Sequence, residues 1–163
     1  MRRLIVLFTI AFFIGTALTA NALTRAEIIR LLAQEKSFNV TYMTKAMLDK
    51  VAASKKDYPL AVLADNAGVN SVRVFEFGDQ VAVDYGKALL NTYISGDKEA
   101  DLMLLQQQEG YRYVAIYGLP TQAHIYGTVL IFSEYYNYKT TLIIINGSIS
   151  DDTVGKLIEA FDK

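Results

Sequence analysis

His124 is the single histidine of the chain, and cysteine is absent, so it is the one side chain whose ordinary pKa lies near neutrality. General acid–base chemistry, nucleophilic attack and zinc binding all draw on that short inventory. A catalytic zinc centre takes several imidazole, thiolate or carboxylate ligands, and one histidine is a poor start for it. His124 opens a β-rich run after Pro120-Thr121-Gln122 and reads as a solvated residue at a strand start. Asp97, Glu99 and Asp101 alternate as calcium-loop ligands do. They lack the mid-loop glycine and terminal glutamate of that loop, and Lys98 sits among them, so a solvated loop is expected. Acid–base work by carboxylates would fall to residues such as Glu134 or Asp84, brought together by folding. No Gly-x-Ser-x-Gly elbow and no glycine-rich phosphate loop occurs. The expectation is a protein that is not an enzyme, with no catalytic residue, metal ligand or cofactor.

Recognition chemistry is better supplied. Eleven tyrosines stand against no tryptophan. Tyr111, Tyr113, Tyr117, Tyr126, Tyr135, Tyr136 and Tyr138 fall in the strand-rich half. An apolar ring with a polar tip suits a half-wet contact surface. Tyr111, Tyr113, Tyr126, Tyr135 and Tyr136 are therefore the candidate binding face. Strand propensity alone also places tyrosines there. Period-two alternation sets Tyr111, Tyr113 and Tyr117 on one side and separates Tyr135 from Tyr136. Asn39-Val40-Thr41 and Asn146-Gly147-Ser148 match the N-glycan sequon. Asp152-Thr153-Val154 resembles the short O-glycosylation motif of Bacteroides-type bacteria, and the first turn of a helix would read the same.

The elements that must position these residues follow a leader. Met1-Arg2-Arg3 is a positive start, Leu4 to Ala20 is apolar or small, and Ala20-Asn21-Ala22 is a cleavage site. This predicts a secretory signal peptide, residues 1–22, cut after Ala22. The competing reading is a membrane anchor, since about 17–25 apolar residues can span a bilayer. No cysteine follows the apolar stretch to carry a lipid. Residues 23–163 form one domain. Hydrophobic residues make up 52% of the chain and charged residues 20%, which is too apolar for disorder. A formal net charge of -1 argues against a nucleic-acid partner. An exported chain without disulfides fits a bacterial periplasm.

Thr24 caps a helix to about Gln34, and Ser37 to Met43 carries strand formers. Thr44 caps a second helix with Met47, Leu48 and Val51 inward; Pro59 begins a short helical piece that Asn66-Ala67-Gly68 stops. Val69 to Phe77 alternates as a strand. Gln80 to Ile94 keeps helical spacing and is read as a helix over a hairpin, although Gly86 costs that helix about 1 kcal/mol against alanine. Four β-rich runs follow: Asp101–Gln108, Tyr111–Leu119, His124–Glu134 and Lys139–Asn146. Their short links force antiparallel neighbours. Thr128–Phe132 and Leu142–Ile145 are apolar on both faces and predict interior strands. Asn146-Gly147-Ser148 reads as a turn before a last helix capped by Ser150, with Val154, Leu157, Ile158 and Phe161 inward. The fold expected is α+β: an antiparallel sheet of four to five strands, with helices packed mainly on one face.

Several segments, taken in order, carry a resemblance. They are Phe38-Asn39-Val40-Thr41-Tyr42-Met43-Thr44-Lys45-Ala46-Met47-Leu48, Val69-Asn70-Ser71-Val72-Arg73-Val74, Asp101-Leu102-Met103-Leu104, and Leu142-Ile143-Ile144-Ile145-Asn146-Gly147-Ser148-Ile149-Ser150. Behind a signal peptide, this order resembles the domain-of-unknown-function family 4252 of exported Bacteroidetes proteins. The resemblance implies fold and location and assigns no activity, cofactor or catalytic residue. The family commonly carries a lipobox cysteine, which this chain lacks.

The function expected is that of an exported, non-enzymatic envelope protein acting through protein–protein contacts, with another envelope protein as partner. The alternative is a periplasmic small-molecule binder using a tyrosine-rich pocket. Membrane association would follow only from an uncleaved leader, and the sequence carries no signal for oligomeric state.

Overall fold

The capping box at Thr24 starts the first helix. Its hydroxyl accepts from the Glu27 amide at 3.2 Å, and the Glu27 carboxylate accepts from the Thr24 amide at 2.8 Å. Helix α1, Arg25–Gln34, then buries Ile28 and Leu32. In the computed structural model, residues 23–54, 59–95, 102–108, 112–135 and 140–162 are described. The expected leader and Asp97, Glu99 and Asp101 lie outside them.

Strand β1 is Phe38–Thr44, and helix α2, Lys45–Ser54, begins directly after Thr44. A 3-10 helix covers Pro59–Leu63. Strand β2 is Val69–Phe77. Helix α3 runs Gln80–Ser95, as the apolar spacing predicts, and Asp79 caps it by accepting from the Ala82 amide at 2.8 Å. The glycine inside α3 has a packing cause. A Cβ on Gly86 would lie 2.2 Å from the Phe77 ring, so the bare backbone lets helix and strand close up. Strands β3 (Met103–Gln108), β4 (Arg112–Gln122), β5 (Ile125–Tyr135) and β6 (Thr141–Ser150) precede helix α4, Asp151–Asp162.

The sheet is antiparallel throughout, in the order β1-β2-β6-β5-β4-β3. It has six strands, not four to five. The alternation of β2 divides the protein. Val72 and Val74 face α2, the 3-10 helix and α4, in a core with Leu48, Leu63, Ile145 and Leu157. Phe75 and Phe77 face α1 and α3, in a core with Ile28, Leu32, Leu90 and Ile144. Helices therefore cover both faces, which corrects the expectation that they pack mainly on one. The cause is in the interior strands. Ile143 and Ile145 point to the first face and Leu142 and Ile144 to the second, all nearly inaccessible, so each side requires a lid.

Two expected turns are strand. Pro120-Thr121-Gln122 continues β4 through register shifts, and the chain reverses at Ala123-His124 instead. Asn146-Gly147-Ser148 continues β6 toward Ser150. Here β6 crosses the loop before β2. A Cβ on Gly68 would meet the Ser148 carbonyl at 2.2 Å, and one on Gly147 would meet the Gly68 carbonyl at 2.2 Å. Gly147, at φ 152, lies where other residues are strained, and the Ser148 amide donates to the Gly68 carbonyl at 2.7 Å. Among the described residues no helix is long and apolar enough to cross a membrane.

Candidate functional site

The second face is not covered evenly. The C-terminal half of α3 and strands β4 and β5 leave a cleft of about 240 Å³, open to solvent. Tyr113, Ala115 and Tyr117, alternate residues of β4, form its floor with Phe132 of β5. Leu90, Asn91 and Ile94 form the helical wall. Lys87 of α3 reaches Glu134 of β5 at 2.6 Å and stands 5.9 Å from the Phe132 ring centre. Tyr113 meets Phe132 edge-on at 6.1 Å.

The Tyr117 hydroxyl is raised above its usual range, first by burial and then by Tyr113 beside it. That shift makes it a weaker acid, the wrong direction for a nucleophile or general base at neutral pH. Glu134 pairs with Lys87 at 2.6 Å, while Asp84 accepts from Gln80 at 2.9 Å. Among the described residues no group of three or more histidine, cysteine, aspartate or glutamate side chains is placed to hold a metal.

Beside the cleft, β3 ends the sheet. Leu104 pairs with Tyr117 and Gln107 with Ala115, and a bulge between Leu104 and Gln106 turns Leu105 into the first-face core. Met103 and Leu104 are 54% and 51% exposed, as Val40 and Tyr42 on the opposite edge are 40% and 49% exposed. The strand Met103-Leu104-Leu105-Gln106-Gln107-Gln108 holds no charge and no proline.

The expected tyrosine face divides. Tyr113 belongs to the second face, with Tyr117. Tyr126 belongs to the first, where its ring packs on Gly118. The sheet lies between them. Tyr111 and Tyr136 lie outside the described residues, and of Tyr135 the backbone alone is described, paired with Arg112. His124 is not a strand start but the second residue of the β4–β5 turn, at φ 62. Its ring is 83% exposed, and its Nδ1 lies 2.6 Å from Asp151 Oδ2 at the start of α4. Of the modification motifs, Asn39 is exposed on β1, while Asn146 accepts from Thr128 at 3.1 Å inside the sheet. Thr153 is buried, and its hydroxyl accepts from Asn66 at 2.8 Å, which leaves no room for a sugar in the folded chain.

Sequence reasoning did not single out Lys87, Asn91 or the edge position of β3. The uncharged Gln106-Gln107-Gln108 run was the available signal for the last. No protein-family model, curated protein or solved structure matches the chain.

Proposed function

We propose that this chain is an exported, non-enzymatic protein of a bacterial envelope that acts by protein contact through the β4–β3 end of its sheet. The observation that carries the reading is β3: an edge strand with neither charge nor proline and with Met103 and Leu104 exposed. Edges that must stay single are usually blunted by such residues or covered by another element. Export rests on the apolar leader with its Ala20-Asn21-Ala22 site. The resemblance to the domain-of-unknown-function family 4252 of exported Bacteroidetes proteins agrees with that location. The test places a photo-reactive amino acid at Met103 in the producing cell, with one at the still more exposed Val81 as control. Discrete cross-linked species from Met103 alone, on a protein whose amino terminus is Leu23, are expected. Equal, diffuse labelling from both positions would remove the contact surface.

A second reading is a periplasmic small-molecule binder in the cleft of Tyr113 and Tyr117. Its volume of about 240 Å³ falls below the roughly 300–1,000 Å³ of ligand pockets, and Lys87 and Glu134 neutralise each other within it. The edge strand is therefore preferred.

A further inference from the structure

We infer that the second face carries a binding site for a carboxylate group, held by the guanidinium of Arg73 beside Tyr42. The site is independent of the contact proposed at β3, since three strands lie between β2 and β3.

Helices α1 and α3 cover the second face over Phe38, Phe75 and Leu142. Tyr93 lies in the last turn of α3, and Arg25 opens α1. Arg25 donates from Nε to the Tyr93 carbonyl at 3.3 Å and stands 5.5 Å from its ring centre. Burial raises the Tyr93 hydroxyl above its usual range, and the charges of Arg25 and Arg73 pull against it, so both guanidinium groups stand close by. From this helix end the sheet turns polar. Tyr42 of β1 lies opposite Arg73, and Thr44 opposite Ser71. Ser71 in turn lies opposite Asn146 of β6, and Asn146 opposite Thr128 of β5.

Arg73 is half-buried in this polar strip without a counter-charge. Among the described residues no carboxylate pairs with it, and its contact is the Tyr42 ring, whose centre is 5.3 Å from the guanidinium carbon. Glu76, the acid of its own strand, falls by alternation on the other face with Val72 and Val74. A cation partly withdrawn from water is costly without a partner, so the position favours an anion. A guanidinium over a ring keeps its edge donors for a planar, two-point acceptor. A carboxylate matches that fork, and its single charge balances Arg73. Neutral donors stand beside it. Asn146 lies diagonal to Arg73 across the β2–β6 pair, within reach of a long side chain. Its carbonyl oxygen accepts from Thr128 at 3.1 Å, which leaves its amide protons to donate. Tyr42 and Val40, alternate residues of β1 and both exposed, offer an apolar margin to whatever carries the carboxylate.

The arginine Nε–H resonances of the purified protein, followed during titration with benzoate at fixed ionic strength, test this. The Arg73 signal should move saturably, with half-saturation about tenfold or more below that of the exposed Arg30. Arg73→Lys puts a point charge in place of the fork and should weaken binding about tenfold, read from the Asn146 side-chain amide. Asn146→Asp keeps the acceptor for Thr128 and sets a carboxylate beside Arg73. It should abolish benzoate binding and raise the thermal midpoint without ligand, and it decides the matter if Arg73→Lys fails to fold. A short peptide with a free terminal carboxylate separates the sources of the group. Binding about tenfold tighter than benzoate assigns it to a polypeptide end, and weaker or equal binding to a small acid. Equal responses of Arg73 and Arg30, tighter binding of inorganic phosphate than of benzoate, or benzoate binding unchanged in either folded variant overturns the inference.

Discussion

Asp151 accepts hydrogen bonds from two residues of the opposite hairpin. His124 and Tyr126 both reach its carboxylate and hold its pKa below the ordinary 3.8, His124 contributing most. The partner effect is visible on Tyr126, whose hydroxyl is raised chiefly by the hydrogen bond to Asp151. A carboxylate with a depressed folded pKa stabilises the protein fully above its unfolded value. That contribution is lost as pH falls through the lowered folded value. The thermal midpoint of the wild type should therefore drop on acidification below 3.8, and Asp151→Asn should drop less over the same interval. Parallel acid profiles for the two proteins would show that the contact at the β4–β5 turn carries no linkage. Because the Asp151 side chain is about half exposed, the effect belongs to this turn and helix start and will weaken with salt.

Helix α4 shows how an element draws its stability from one stripe. Val154, Leu157 and Phe161 are buried against the first face, and Leu157 is wholly inaccessible. Leu157→Ala should remove about 2–5 kcal/mol, read as a lower urea midpoint at unchanged slope. A midpoint equal to wild type would mean that α4 is not docked there. This stripe, the Thr24 cap, the whole of β2 and the helical nature of α3 are legible in the sequence, because each is set by residues a few positions apart. What is not legible depends on partners far along the chain. Asn146-Gly147-Ser148 spells a turn, yet the glycine is used where β6 passes against Gly68. Pro120 reads as a break, yet β4 carries it through shifts in its pairing with β5. The apolar runs of β5 and β6 announce cover on both sides but not which helix goes where. At the site, alternation places Tyr113 with Tyr117, whereas the approach of Lys87 to Glu134 needs α3 laid across the sheet, and that of His124 to Asp151 needs the register of β5 on β6.

At the scale of the molecule, two cores share one sheet. Ile143 and Ile145 belong to the first and Leu142 and Ile144 to the second, so neither core can dissolve while β6 stays paired. Unfolding by denaturant should be a single transition, with far-ultraviolet circular dichroism and tyrosine fluorescence superimposable. Tyr93 reports from the second core and Tyr126 from the margin of the first. Separate midpoints for the two signals would show that the layers open independently. The position of β6 also sets an order of events. It is the last strand in the chain, but it lies between β2 and β5, and Val72 waits for Ile145 from nearly half the chain away. Until β6 arrives, the amino-terminal hairpin partner β2 has one side unpaired, and the loop that must close is long. A ribosome can therefore release most of this polypeptide before the two halves of the sheet, β1–β2 and β5–β4–β3, are joined into one.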